Sequence, residues 1–142
     1  MRFYSYGSEG NRMGEVKQQL WYTDEHEWVQ RTENGTVRIG ITDFAQHQLG
    51  DIVFVELPEA GVTIEQGAEI GTIESVKTVS DLFAPVTGTI LKVNEALEGT
   101  PELVNESPYD KGWMVEVEMD KDVEEALGKL LSADQYEQLI SE

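Results

Sequence analysis

The sequence contains no cysteine. Disulfides, thiolate nucleophiles and Cys-ligated zinc or iron–sulfur sites are therefore closed to its own side chains. Basic residues are also scarce: 10 Lys and Arg stand against 28 Asp and Glu, a formal charge of −18. A chain this acidic repels phosphate backbones and anionic lipid, so neither nucleic acid nor a membrane surface is an expected partner. No apolar run approaches the roughly 18 residues that a spanning helix needs. There is no Gly-x-Ser-x-Gly elbow, and Gly67-x-x-x-Gly71 lacks the Lys-Ser/Thr of a phosphate loop.

What is present suits a folded domain. The chain has 142 residues, 39% hydrophobic and 27% charged. That is one domain, or one domain with short appendages. Residues 1–19 hold mixed charge and no apolar period. They lack the apolar centre of a signal peptide, and Glu9 and Glu15 do not suit a transit sequence. We expect 1–19 to be a partly disordered extension, with 1–12 an upstream addition and Met13 available as a start. The body is expected over 20–142, and the protein is expected to be cytoplasmic.

From about 20 to 119 the pattern is β. Val37, Ile39 and Ile41 alternate onto one face of 36–41, just after the hairpin signal Asn34-Gly35. The run 51–57 holds Ile52, Val53, Phe54 and Val55 and suits a buried strand. Further strands are expected over 68–74, 78–84, 88–93 and 113–119. Frequent Gly and Pro between them point to a sandwich or barrel. Asp43 is expected to cap a helical turn, with Gln46 reaching back and Gly50 as its stop. Gly-Thr-Ile at 71–73 recurs at 88–90, a faint echo that fits two similar half-sheets. The tail reads as two helices. Asp122 precedes the stripe Val123, Ala126, Leu127, Leu130 and Leu131, and Ser132 with Gln135 precedes Tyr136, Leu139 and Ile140.

Lys77 is the residue that stands apart. From Ile39 to Leu91 it is the only lysine or arginine, among Asp43, Asp51, Glu56, Glu59, Glu65, Glu69, Glu74 and Asp81. It sits where two strands must join, and exposed loops on rigid scaffolds often carry function. The ordinary reading is a solvated lysine that relieves acid repulsion. However, the turn Glu74-Ser75-Val76-Lys77-Thr78 lacks Gly, Pro and Asn, which is unusual for a hairpin tip. His26 and His47, the two histidines, lack metalloprotease spacing and read as turn or surface residues. The carboxylates are too numerous for spacing to select a catalytic pair.

Several ordered blocks together resemble the glycine cleavage system H proteins. They are Glu25-His26-Glu27-Trp28-Val29, Ile39 to Asp43, Leu49 to Pro58, Glu74-Ser75-Val76-Lys77 with Ser80-Asp81, Val104 to Tyr109, and Gly112-Trp113-Met114. The resemblance runs from about Leu20 to the C-terminus. It implies a mainly β fold of the lipoyl/biotinyl type: a barrel-sandwich hybrid of two small antiparallel sheets, with short helices and a C-terminal helical segment.

The resemblance also implies a carrier rather than an enzyme. (R)-Lipoate would be attached as an amide to Lys77, and Glu27 and Asp81 would hold the amine of the loaded arm in a surface cleft. Partners would be glycine decarboxylase (P protein), aminomethyltransferase (T protein), dihydrolipoamide dehydrogenase (L protein) and lipoate-attachment or lipoyl-transfer enzymes. A monomer is expected. Glu25 stands where the family often has a small polar residue. The alternatives are an H-like protein supplying lipoate to other domains and, more distantly, an acidic hydrolase. A lipoyl domain of a 2-oxoacid dehydrogenase would read Asp-Lys-Ala, and a biotin carrier would flank the lysine with Met; Val76 and Thr78 fit neither.

Overall fold

The computed structural model describes residues 14–119 and 122–141. Nine strands are described: β1 Trp21–Tyr22, β2 Glu27–Arg31, β3 Thr36–Ile41, β4 Ile52–Glu56, β5 Thr63–Ile64, β6 Glu69–Ser75, β7 Val79–Phe83, β8 Gly88–Val93 and β9 Val115–Met119. Five helices accompany them: α1 Asp43–Leu49, α2 Ala96–Gly99, α3 Leu103–Glu106, α4 Val123–Leu127 and α5 Ala133–Ile140. The strands form two antiparallel sheets, β1-β2-β3-β9-β8-β5 and β4-β6-β7.

The main core lies between the sheets. Val37, Ile39, Ile90 and Val117 from the larger sheet meet Ile52, Val55, Ile73 and Leu82 from the smaller one. A second cluster forms where α5 packs on β1 and β2, with Tyr22, Trp28, Tyr136 and Ile140 buried. Tyr22 and Tyr136 stack there at 4.6 Å between ring centroids. The Gly-Thr-Ile echo has a structural counterpart in each sheet. A Cβ on Gly71 would lie 2.3 Å from the carbonyl oxygen of Glu56, and one on Gly88 2.4 Å from that of Glu118. Both glycines thus admit a neighbouring backbone, and the Ile two residues later is buried in each case.

Several local expectations need correction. Thr42, not Asp43, caps α1: its Oγ1 accepts from the Ala45 N–H at 3.2 Å. Asp43 is the first helical residue and holds Gln46 Nε2 at 2.8 Å. The helix does stop at Gly50, whose φ is 83°. The Asp51–Leu57 run is not a buried strand, because only Ile52 and Val55 of it are buried while Val53 and Phe54 face solvent. The apolar stripe of the tail does not stay helical. Helix α4 ends at Leu127, and Leu131 instead bridges Tyr22 at the edge of β1 through paired bonds of 2.9 and 2.8 Å. The α5 capping box of Ser132 and Gln135 is present in full.

Of the expected extension, 1–13 lies outside the described residues. Its last part is joined to the body: Glu15 N–H donates to Asp43 at 3.1 Å, and the Lys17 N–H and carbonyl both meet the Tyr22 hydroxyl at 2.7 Å.

Candidate functional site

The turn carrying Lys77 joins β6 to β7, and its geometry explains the missing glycine. Ser75 Oγ accepts from the Lys77 and Thr78 N–H groups, both at 3.1 Å. The Ser75 N–H closes the turn on the Thr78 carbonyl at 2.8 Å. One buried hydroxyl thus satisfies the donors that a glycine turn would leave to water. The Val76 N–H donates to the Asp51 carbonyl at 3.0 Å, carrying the β4–β6 pairing one residue past Ile52 and Ser75 into the turn.

The Lys77 side chain leaves this turn exposed and passes over Gly50. A Cβ on Gly50 would stand 3.3 Å from Lys77 Cε, and the φ of 83° there already disfavours other residues. The platform beneath is tied by Asn105 of α3. Its Nδ2 donates to the Gly50 carbonyl at 2.9 Å and to Gln46 Oε1 at 2.8 Å, while its Oδ1 accepts from the Ile52 N–H at 2.9 Å. Asn105 lies in one of the resemblance blocks, but nothing in its spacing places it under residue 77.

Glu27 lies elsewhere. It opens β2 and is buried, only 2% exposed. Thr23 Oγ1 donates to its Oε1 at 2.6 Å, and the Phe83 N–H donates to its Oε2 at 3.3 Å. Among the described residues no lysine or arginine forms an ion pair with it. Burial pushes its carboxyl up to about 7; the two hydrogen bonds work against that rise, and the charges of Glu25 and Asp24 add to it. The carboxyl borders a cavity of about 450 Å³ whose lining includes Glu25, Phe83, Pro85, Lys129 and Leu130.

His26 shapes this corner. It is the one non-glycine residue at positive φ among the described residues, at 71°. Its Nδ1 meets the Tyr136 hydroxyl at 2.9 Å, that hydroxyl meets Thr42 Oγ1 at 2.7 Å, and the His26 carbonyl accepts from the Thr42 N–H at 3.0 Å. These contacts hold a backbone conformation that costs roughly 1–3 kcal/mol. The expected turn role for His26 agrees with this. His47 is in the last turn of α1, 3.6 Å from Asp43.

The three residues named from the sequence are thus not gathered at one point. Lys77 is at one end of β7, Asp81 is exposed along it, and Phe83 at its far end touches Glu27. Strand alternation places Asp81 and Phe83 on the same outward side, with Leu82 buried between them. At about 3.3 Å per residue, Asp81 is ~13 Å and Phe83 ~20 Å from Lys77 along the chain. Neither Lys77 nor Asp81 lines the Glu27 cavity, while Glu25 does.

The sequence model of the family "Glycine cleavage H-protein" matches residues 20–142. A glycine cleavage system H protein of Listeria monocytogenes serotype 4a (strain HCC23) is 61% identical over 122 residues, covering 85% of this chain and 94% of that protein. One from Mycobacterium sp. (strain KMS) is 52% identical over 131 residues, covering 92% of this chain and all of that one. The crystal structure of a glycine cleavage system H protein from Mycobacterium marinum superposes with a TM-score of 0.77 at 42% identity, covering 85% of this chain and 95% of that one. The chain therefore belongs to the glycine cleavage H-protein family, whose members are carriers rather than catalysts.

Proposed function

We propose that this chain is the lipoyl-bearing carrier of the glycine cleavage system, with (R)-lipoate attached at Lys77. The observation that carries the reading is the turn itself. Lys77 is exposed, its own N–H is held by Ser75 and that of the preceding Val76 by Asp51, and no other side-chain amine occurs between Ile39 and Leu91. A fixed amine in an otherwise acidic stretch lets a modifying enzyme choose it by geometry. The other lysines are Lys17, Lys92, Lys111, Lys121 and Lys129.

Attachment forms an amide bond between Lys77 Nζ and an activated acyl carbon. The bond from that carbon to its leaving group breaks, and the ammonium gives up two protons. The site fits such a group: the lysine stem lies over a residue with no side chain, and its far end is open. When bound through Lys77, the dithiolane would supply a redox-active disulfide for the chemistry of glycine decarboxylase, the tetrahydrofolate-dependent aminomethyltransferase and dihydrolipoamide dehydrogenase.

The chain's own contribution is to fix the lysine and to receive a cationic amine. Asp81 offers an exposed carboxylate beside β7. Glu27 offers a buried carboxyl whose surroundings favour the neutral form and which an approaching ammonium would draw toward its ionised form. The same reading makes the protein a cytoplasmic monomer visited in turn by these enzymes.

The test is intact mass and peptide mapping after incubation with a lipoate-attachment enzyme, lipoate and ATP. A gain of one lipoyl amide at Lys77, followed by glycine-dependent CO2 exchange with the decarboxylase, is expected. No mass gain overturns the reading. Lipoylation without exchange, but with transfer of the group to other lipoyl domains, would favour lipoate supply instead.

A further inference from the structure

The segment Asp51–Leu57 is not used by the carrier chemistry above, yet it departs most from what its sequence leads one to expect. A bulge in β4 between Ile52 and Phe54 turns two successive apolar side chains outward, Val53 at 48% and Phe54 at 51% exposure. Phe54 pairs with Glu74 and Glu74 with Val79, so the three form one row across the smaller sheet. The next row is Glu56, Thr72 and Asp81. Val76 at 68% and Val79 at 60% add to this apolar surface, with the exposed Glu74 standing between Phe54 and Val79. Four of the seven exposed large hydrophobics among the described residues thus crowd the end of the sheet that carries Lys77. Water is a poor neighbour for such a cluster, and apolar groups gathered inside a polar rim mark an interaction site.

The rim has one sign. Asp51, Glu56 and Asp81 around the strip, and Glu74 within it, are exposed and, among the described residues, none has a cationic partner. A second copy of the chain would bring the same acids against these acids, at −18 per copy. A partner with a cationic rim fits. The enzyme that acylates Lys77 is such a partner by position: it must bring its active-site mouth to the amine beside this strip, and a mouth that meets these acids calls for Lys or Arg.

We propose that the Val53–Phe54–Val76–Val79 strip is the docking surface for the Lys77-acylating enzyme, which seats Phe54 in an apolar hollow ringed by basic side chains. The proposal rests on Lys77 being the acylated residue. The apolar strip supplies affinity, the acidic rim supplies steering, and both lie within a few residues of the target amine.

The test uses the full, unmodified chain with a lipoate-attachment enzyme, lipoate and ATP, following mass gain against carrier concentration. Because Val53 and Phe54 are exposed, Val53→Ser with Phe54→Ser should keep the fold, checked by thermal melting. KM for the carrier should rise about tenfold or more with kcat little changed. Leu139→Ser, an exposed apolar residue on α5, should stay within about twofold of wild type. Asp51→Asn with Glu56→Gln should weaken the salt dependence of kcat/KM, a readout that mere loss of stability would not give. Acylation of the Val53/Phe54 variant within about twofold of wild type overturns the proposal, as does an equal loss in Leu139→Ser. A wild-type dimer that the Val53/Phe54 changes dissociate also overturns it, in favour of self-association. Wild type acylated at a lysine other than Lys77 overturns the carrier reading itself, and is seen separately in the peptide map.

Discussion

The buried carboxyl of Glu27 accepts a hydrogen bond from the backbone N–H of Phe83, 3.3 Å away and 56 residues along the chain. That contact joins the corner of the larger sheet to the far end of the strand that begins beside Lys77. It also leaves an acid in a place that favours its neutral form.

Stability should therefore depend on the protonation of Glu27. Its carboxyl is raised from an ordinary 4.5 to about 7, so the folded chain keeps a proton that the unfolded chain releases. The stabilisation is fully present below the unfolded value and is lost as pH rises through about 7, on the order of 3 kcal/mol in all. Glu27→Gln, which cannot ionise, should remove this slope and match or exceed wild type above neutrality. Urea unfolding at about pH 5 and about pH 8 measures both slopes; equal slopes would show that Glu27 is not the group responsible.

Loading should reverse the preference of that site. An ammonium near Glu27 and Asp81 favours both carboxylates. Glu27→Gln with Asp81→Asn should leave lipoylation intact but speed the spontaneous loss of ammonia from the loaded carrier. An exposed ion pair contributes about 1 kcal/mol or less and a sheltered one somewhat more, so a few-fold to tenfold acceleration is expected. The measurement is ammonia release after removal of the decarboxylase, with no folate present. Unchanged release would free both acids from this role.

Lys77→Arg should fold as wild type and accept no lipoate. A guanidinium keeps the charge but is not acylated under these conditions. Modification that persists in this variant at Lys92 or Lys111 would show that the turn is not the target.

Asn105→Ala should loosen the Lys77 platform without touching the lysine. It strands the Ile52 N–H and the Gly50 carbonyl, each left unpaired at a cost of about 1–3 kcal/mol unless water replaces the amide. Thermal unfolding should fall accordingly. Amide exchange at Val76, whose N–H is held by the neighbouring Asp51 carbonyl, should accelerate more than exchange in β3 or β9.

The sequence made the β body legible through alternation at 36–41 and through the Gly and Pro punctuation, and it marked Lys77 at a strand junction as the isolated lysine; the resemblance supplied that lysine's role. Other features were not legible, for identifiable reasons. Val53 and Phe54 look like core because an apolar run carries no mark of the bulge that turns them outward. Leu130 and Leu131 continue a helical stripe, yet the sheet edge at Tyr22 takes Leu131 as a partner. Asp43 and Thr42 are both good caps, and only the backbone decides between them. The two-residue strands β1 and β5 are too short for any period to show. Glu27 was named from the family, but its burial, its missing cation and its distance from Lys77 depend on long-range packing that no local pattern encodes. Asn105 was visible as a letter in a block; its three bonds exist only because α3 lands beside Gly50.

The turn tied by Ser75 also gives the carrier a stationary pivot. A group tethered to a pivot that does not wander is confined to a small volume, so its effective concentration at any docked active site is set by tether length, in the millimolar range or above, whatever the bulk concentration of carrier. Under the proposed role of Glu27, the cavity beside it takes the tethered end and subtracts from that supply while it does so. Residence there and availability to the next enzyme are then two sides of one equilibrium, and changes at Glu27 that lengthen storage must slow delivery in the same proportion.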